Sequence, residues 1–534
     1  MLLQNLPPEV LVRIVNNLPA VDDVVALSRQ SRGLHSMNEV SNQQKYHKLQ
    51  LGRERREQKF TDQLQAIQDM LLEMLADPSL ADYLHHLVMH GSDMSPGAYG
   101  RSSEPIPQRP FSPENIDRLK QAIHKAGIQE NQDRESMLSS ILQDPTHFRN
   151  DGSPEPVEFK DALVTLLVAN APNLQSLSMF PLHGAKNRLM ALLHRASNAP
   201  SPVPYCQNLR KVNFHPDDSL NEGTEYVPEP YYHRLNLVRK LPAIESVVFK
   251  LAAWDNNAGV PLPPRCANYS KISITHSFLL ESDLCRIIES PRTLKSFTFT
   301  VGGRKDPEGG PQTLSATPLL RSLWSHRETL EELDLNVESH ADRHEFYNPA
   351  FRPREDDGIT EDDQEDYEEE YADELRELAM QDPETPPSCI SLKDFPRLKH
   401  LSVGVHTLCY FARGVGFGEN RFANGRIGAE AFNLAENLPP NLESLRIYGR
   451  GEETEYKYFD FEPDLDIDAQ LDQLMREKDA RSLEILGGVD IPIPNGKTVH
   501  NSADDNDLSL YWKDPDDDRF ANWEEDLETV RAGC

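Results

Sequence analysis

The chain has 534 residues, a hydrophobic fraction of 38% and a formal net charge of −32. That balance supports a real core and disfavours a nucleic-acid-binding protein, which would need a basic face, without excluding a local basic patch; no run approaches the ~18 apolar residues a membrane span requires. Cys206, Cys266, Cys285, Cys389, Cys409 and Cys534 are scattered without a C-x-x-C, which argues against a disulfide framework or a cysteine zinc site and fits a reducing compartment.

The first predicted element is "NLPPEVLVRIVNNLP", residues 5–19. Pro7 and Pro8 suit a first helical turn, Glu9 complements the positive helix start, and Pro19 ends the run. Val10, Leu11, Ile14, Val15 and Leu18 fall at helical spacing on one face. "DDVVALSRQSRGLHSM" (22–37) repeats the plan, with Asp22 or Asp23 as cap and Val24, Val25, Leu27 and Leu34 as apolar positions. Two short helices bury little core alone, so part of their apolar surface is expected to be covered by another chain or by the rest of this one. The N-terminus lacks the order of a secretory signal, and an intracellular protein, cytoplasmic and/or nuclear, is expected.

Residues 1–50 are thus read as a helical module and 51–79 as a helical linker, with "RERREQKFTDQLQAIQDMLLEMLA" (53–76) as its helix. Residues 91–115 are rich in Pro, Ser and Gly and read as a flexible loop.

From residue 80 to 490 a template recurs: an apolar residue, two mostly polar ones, an apolar, one variable residue, an apolar. It fits "PNLQSLSM", "QNLRKVNF", "PAIESVVF", "RTLKSFTF", "ETLEELDL", "PRLKHLSV" and "PNLESLRI", and more loosely "YLHHLVM", "NYSKISI" and "DARSLEI". First anchors fall at Leu84, Leu174, Leu209, Ile244, Tyr269, Leu294, Leu330, Leu398, Leu442 and Ala480. Many copies follow a helical stretch, among them "EFKDALVTLLVANA", "ESDLCRIIES", "TPLLRSLWSHRE" and "AEAFNLAENL". A period-two strand after a helix, repeated, predicts stacked parallel strands lined by outer helices. Pairs such as Leu177/Met179, Phe297/Phe299, Leu333/Leu335, Leu401/Val403 and Leu445/Ile447 then point into one core. Ser178, Asn213, Thr298, Asp334, Ser402 and Arg446 line an exposed sheet.

The charge is concentrated. Residues 355–375 hold 13 acids and no Lys or Arg, and residues 501–530 hold 11 acids against Lys513 and Arg519. The first block lies in an insertion between repeats, 338–390, and the second in an acidic tail, 491–534. Both read as solvated, self-repelling segments or as docking sites for a basic partner.

The repeat resembles the leucine-rich repeat in an irregular form. Asn336 after "LDL" fits that family's inward asparagine, whereas Phe180 after "SLSM" does not. With such an array behind it, "LPPEVLVRIVNNLPAVDDVVALSRQSRGLHSM" resembles the F-box, a short helical module, in an arrangement similar to fungal-type F-box proteins. It lacks the tryptophan that often ends the module. The fold class is α/β: an F-box-like helical module followed by an irregular leucine-rich-repeat-like solenoid. The resemblance implies docking on a Skp-type adaptor of a cullin–RING ubiquitin ligase through Leu6, Pro7, Val10, Leu11, Ile14, Leu18 and Leu27. It implies a protein target held by the repeats, and no chemistry by the chain itself. The alternative is a repeat scaffold that binds a partner without ubiquitin transfer.

Catalytic and metal motifs do not compete. His86 and His90 in "HHLVMH", and His340 and His344, have no apparent third ligand. "DLDID" (464–468) lacks the glycine and glutamate of a calcium loop. "GVGFGEN" and "NGKT" lack the rest of a phosphate-binding fingerprint. No catalytic residue, cofactor or metal site is expected.

Overall fold

The structure, a computed structural model, describes residues 45–51, 60–89, 107–148, 155–180, 187–199, 203–215, 227–228, 230–253, 259–301, 314–338, 371, 376, 389–416, 427–428, 431–449, 466–478, 483–491 and 493. Leu6, Pro7, Val10, Leu11, Ile14, Leu18 and Leu27, expected from the sequence to dock on an adaptor, lie outside them, as does most of the acidic insertion and nearly all of the tail. The chain divides into two compact units: residues 1–220 with 240–244, and residues 221–239 with 245–534.

The first unit is an α/β layer. Its strands β1 (Lys48–Leu51), β2 (His86–Met89), β3 (Ser176–Met179) and β4 (Lys211–Phe214) run parallel in that order. The register places Leu49 beside Leu87, Leu87 beside Leu177, and Leu177 beside Val212, and all four are at most 3% exposed. Helices α1 (Phe60–Ala76), α2 (Pro113–Lys125), α3 (Asn131–Ile141), α4 (Glu155–Asn170) and α5 (Arg188–Asn198) complete the unit. α4 is buried from Phe159 to Ala169 and touches all four other helices. That explains why its sequence is apolar all round rather than striped. Its Asp161 starts α5, accepting the Arg188 and Leu189 N–H groups at 3.0 and 3.2 Å. β1 straddles residue 50, and α1 buries Leu64, Ile67, Leu71 and Met74. The stretch read as a linker therefore belongs to this core.

The second unit contains α6 (Tyr231–Val238), β5 (Ser246–Lys250), β6 (Lys271–Thr275), α7 (Glu281–Glu289), β7 (Ser296–Thr300), α8 (Ala316–Trp324), β8 (Glu332–Asn336), β9 (His400–Gly404), α9 (Val405–Arg413), β10 (Ser444–Tyr448), α10 (Ile467–Glu477) and β11 (Ile485–Gly487). The seven strands form an open parallel stack in chain order. One inward ladder reads Val247, Ile272, Phe297, Leu333, Leu401, Leu445, each at most 2% exposed. At about 1.5–3 kcal/mol for each fully buried large apolar side chain, such ladders are the main adhesive of the unit.

The residue before an anchor often ties one repeat to the last. Asn173, Asn208 and Asn441 donate from their side-chain amides to Asp82 O, Pro172 O and Pro396 O at 3.0, 2.9 and 2.8 Å. The Thr329 hydroxyl donates to Leu294 O at 2.8 Å. These side chains satisfy corner carbonyls that would otherwise lack a partner.

Two local expectations need correction. In "AEAFNLAENL" the described residues, 431–438, hold 3-10 backbone at Ala431 and at Ala435–Asn437 and no α-helix. Gln470 of α10 accepts the Leu434 N–H and donates to Phe432 O, taking backbone groups an α-helix would use. In "DARSLEI" the strand register pairs Leu445 with Leu486, so the last anchor is Leu483, not Ala480.

Candidate interaction face

Side chains alternate along each strand, so the residues between the core ladders form the opposite face of the second unit's sheet. Three rows cross it. The first runs Ser246, Lys271, Ser296, Glu332, His400; the second Val248, Ser273, Thr298, Asp334, Ser402, Arg446. The third holds Lys250 beside Thr275, Thr300 beside Asn336, and Gly404 beside Tyr448. All but His400 and Gly404 are half-buried; His400 is exposed and Gly404 buried. The face is rich in hydroxyl groups, with lysines on the β5–β6 side, carboxylates on β8, and His400 and Arg446 beyond.

Its best-defined polar contact is between Asp334 and Tyr448. The Tyr448 hydroxyl donates to Asp334 Oδ1 at 2.9 Å, crossing β9 from β10 to β8. Ser402 and Gly404, small residues on the intervening strand, leave room for the ring. Burial pushes the Asp334 carboxyl up to about 6, against the opposing pull of the Tyr448 bond and the Arg446 charge. Burial, then Asp334, pushes the Tyr448 phenol up.

At one edge Glu338 holds the start of α9. Its Oε1 accepts the His406 N–H at 3.1 Å and its Oε2 the Thr407 hydroxyl at 3.2 Å, and it pairs with the His406 ring. Burial pushes this carboxyl up, but the His406 and Thr407 contacts reverse that and leave it below the ordinary carboxylate range. A Cβ at Gly404 would overlap the Glu338 carboxylate, so only glycine fits where β9 turns into α9.

Four of the six outward residues expected from the sequence, Thr298, Asp334, Ser402 and Arg446, therefore share one row. The other two do not belong to an exposed sheet: Ser178 and Asn213 pair across β3 and β4 in the first unit and are 0% and 1% exposed. There the Ser178 hydroxyl and the His215 ring lie 2.7 Å apart, and Phe180 stacks on His215 at 4.5 Å. A hydroxyl or amide at an outward position looks the same in sequence whether that face is open or covered. Tyr448 and Glu338 escaped the sequence reading because each lies just past its repeat triad. The alternation beyond Ile447 and Leu335 was the available signal.

The rejected motifs land in structural roles. Asp466 of "DLDID" caps α10, accepting the Ala469 N–H at 2.9 Å. Val415–Gly416 of "GVGFGEN" pairs with Cys389–Ile390 in a short antiparallel ladder. His86 sits on β2, where its ring lies 5.0 Å from that of His47; His90, His340 and His344 are outside the described residues. Among the described residues no group of three or more His, Cys, Asp or Glu side chains is arranged to hold a metal ion, and no helix is long and apolar enough to cross a membrane. Tyr371, inside the acidic block, is 1% exposed, with the Arg239 guanidinium 5.4 Å from its ring centre. That position of the insertion packs on the second unit. The chain matches no family model and no curated protein sequence.

Proposed function

We propose that this chain is the substrate-receptor subunit of a cullin–RING ubiquitin ligase, an intracellular protein without catalytic chemistry of its own. In this reading the apolar face of residues 6–18, with Leu27, docks on a Skp-type adaptor, and the polar sheet face of the second unit holds a protein target. The observation that carries the target-binding half is the face itself. Consecutive strands each contribute side chains to continuous rows, so a partner gains many aligned hydrogen bonds and ion pairs on a rigid support. Holding a target near a ubiquitin-loaded enzyme raises its effective concentration. The adaptor-binding half rests on the sequence of residues 3–48 alone.

Co-purification of the full chain with a Skp-type adaptor tests the reading. The unsubstituted chain retains the adaptor, and Leu11→Asp with Ile14→Asp releases it. No retention by the unsubstituted chain rejects the ligase role. If a target bound at the sheet face keeps the same lifetime when residues 1–44 are deleted, the chain is a scaffold instead.

A further inference from the structure

The helical pair α2–α3 of the first unit frames a second feature, separate from the sheet face. α2 contributes Lys120, Gln121, His124 and Lys125, and α3 contributes Asn131, Arg134, Glu135 and Leu138, to a groove of about 600 Å³ that also includes Ile123. Leu138 is half-buried and supplies the groove's apolar floor, with Ile123, 1% exposed, packed beneath it. The walls are fixed. Ser112 caps α2 through the Asn115 N–H, and the connecting turn is pinned by Arg195 donating to Ala126 O at 2.9 Å and Arg134 donating to Ile128 O at 2.6 Å.

The rim is cationic in a chain of net charge −32. Lys120, Lys125 and Arg134 face a single acid, Glu135. Lys120 makes only a 3.7 Å contact to Asp117, both side chains being largely exposed, and Lys125 has no ion pair among the described residues. From Asn131 to Leu138 the α3 wall spans two helical turns, about 10 Å.

We propose that this groove docks a short, acidic amphipathic helix of a partner protein. Apolar side chains at helical spacing would rest on Leu138, and flanking carboxylates would meet Lys120, Lys125 and Arg134.

The test is fluorescence anisotropy on the full chain with two labelled peptides of about 14 residues, a length that gives two turns in the groove and one beyond each end. Both carry leucines at positions i, i+4 and i+7; one has glutamate flanks and its twin has lysine flanks. The glutamate peptide binds, and the twin binds at least about tenfold more weakly. Lys120→Glu with Lys125→Glu, at two exposed positions, lowers affinity for the glutamate peptide by about tenfold or more while leaving the far-UV circular dichroism unchanged. Equal binding of both peptides, no binding of either, or an undiminished affinity in the double variant overturns the proposal. Binding that emerges only after removal of residues 515–534 assigns the groove to the chain's own acidic end, and the separate partner is then wrong.

Discussion

Replacing Asp334 by asparagine isolates the electrostatics of the sheet face. The Asp334 carboxyl lies at about 6, against an ordinary 3.8, chiefly because burial disfavours its charge. The folded chain therefore binds a proton more tightly than the unfolded chain does. Its stability falls as pH rises from about 4 to about 6, and above that range the full cost remains. Each tenfold difference in acid dissociation corresponds to about 1.4 kcal/mol, so the charged carboxylate costs about 1.5 kcal/mol at pH 5 and about 3 kcal/mol at pH 8. Water reaching the half-buried row makes these upper values. Asparagine keeps an oxygen for the Tyr448 hydroxyl and carries no charge. Asp334→Asn should stabilise the chain at pH 8 by up to about 3 kcal/mol, with the advantage shrinking toward pH 5. Urea unfolding of the full chain at pH 5, 6, 7 and 8, followed by circular dichroism, measures this. A variant no more stable than the parent at pH 8, or an advantage that is flat with pH, refutes the argument that desolvation dominates this row.

Glu338→Ala removes the acceptor at the start of α9 and leaves the His406 and Thr407 groups without it; the expected loss is about 3–5 kcal/mol in urea unfolding. Because the Glu338 carboxyl is held below its ordinary range, its contribution is full above the unfolded value and disappears as pH falls through the folded one. Glu338→Gln should remove that acid sensitivity, and an unchanged acid profile would count against the pairing. His326, 2% exposed, accepts the Leu294 N–H on Nδ1 at 3.3 Å, so its Nε2 donates to Ile288 O at 2.8 Å as a neutral ring. Burial lowers its value from 6.5 to about 4. The folded chain therefore loses stability as pH drops from about 6.5 to about 4, up to about 3 kcal/mol, and His326→Gln should abolish that part of the slope. A slope identical to the parent's refutes the assignment.

Much of the architecture was legible in the residues. The alternation in "SFTFT" and "ELDLN" identifies strands and their inward members, because a sheet places successive side chains on opposite faces and water excludes only one set. The asparagines before Leu174, Leu209 and Leu442 stand in the sequence, but the carbonyls they satisfy appear only in the structure. The helix in 60–76 was visible, but its membership in the core was not. An apolar stripe states that something will cover it, not which element does.

What tertiary structure alone decided are relations between distant segments. Tyr448 reaches Asp334 across 114 residues, and Glu338 holds α9 from the far side of a long insertion. Gln470 takes two backbone groups, Leu434 N–H and Phe432 O, in a stretch whose sequence predicts a helix. Ser178 and Asn213 are buried while Thr298 and Asp334 are half-exposed, although all four occupy the same place in the repeat. Local sequence sets backbone preference and the inward side of each strand, since both depend on near neighbours. Burial of the outward side, and the acidity of a carboxyl placed there, depend on what the rest of the chain packs against it.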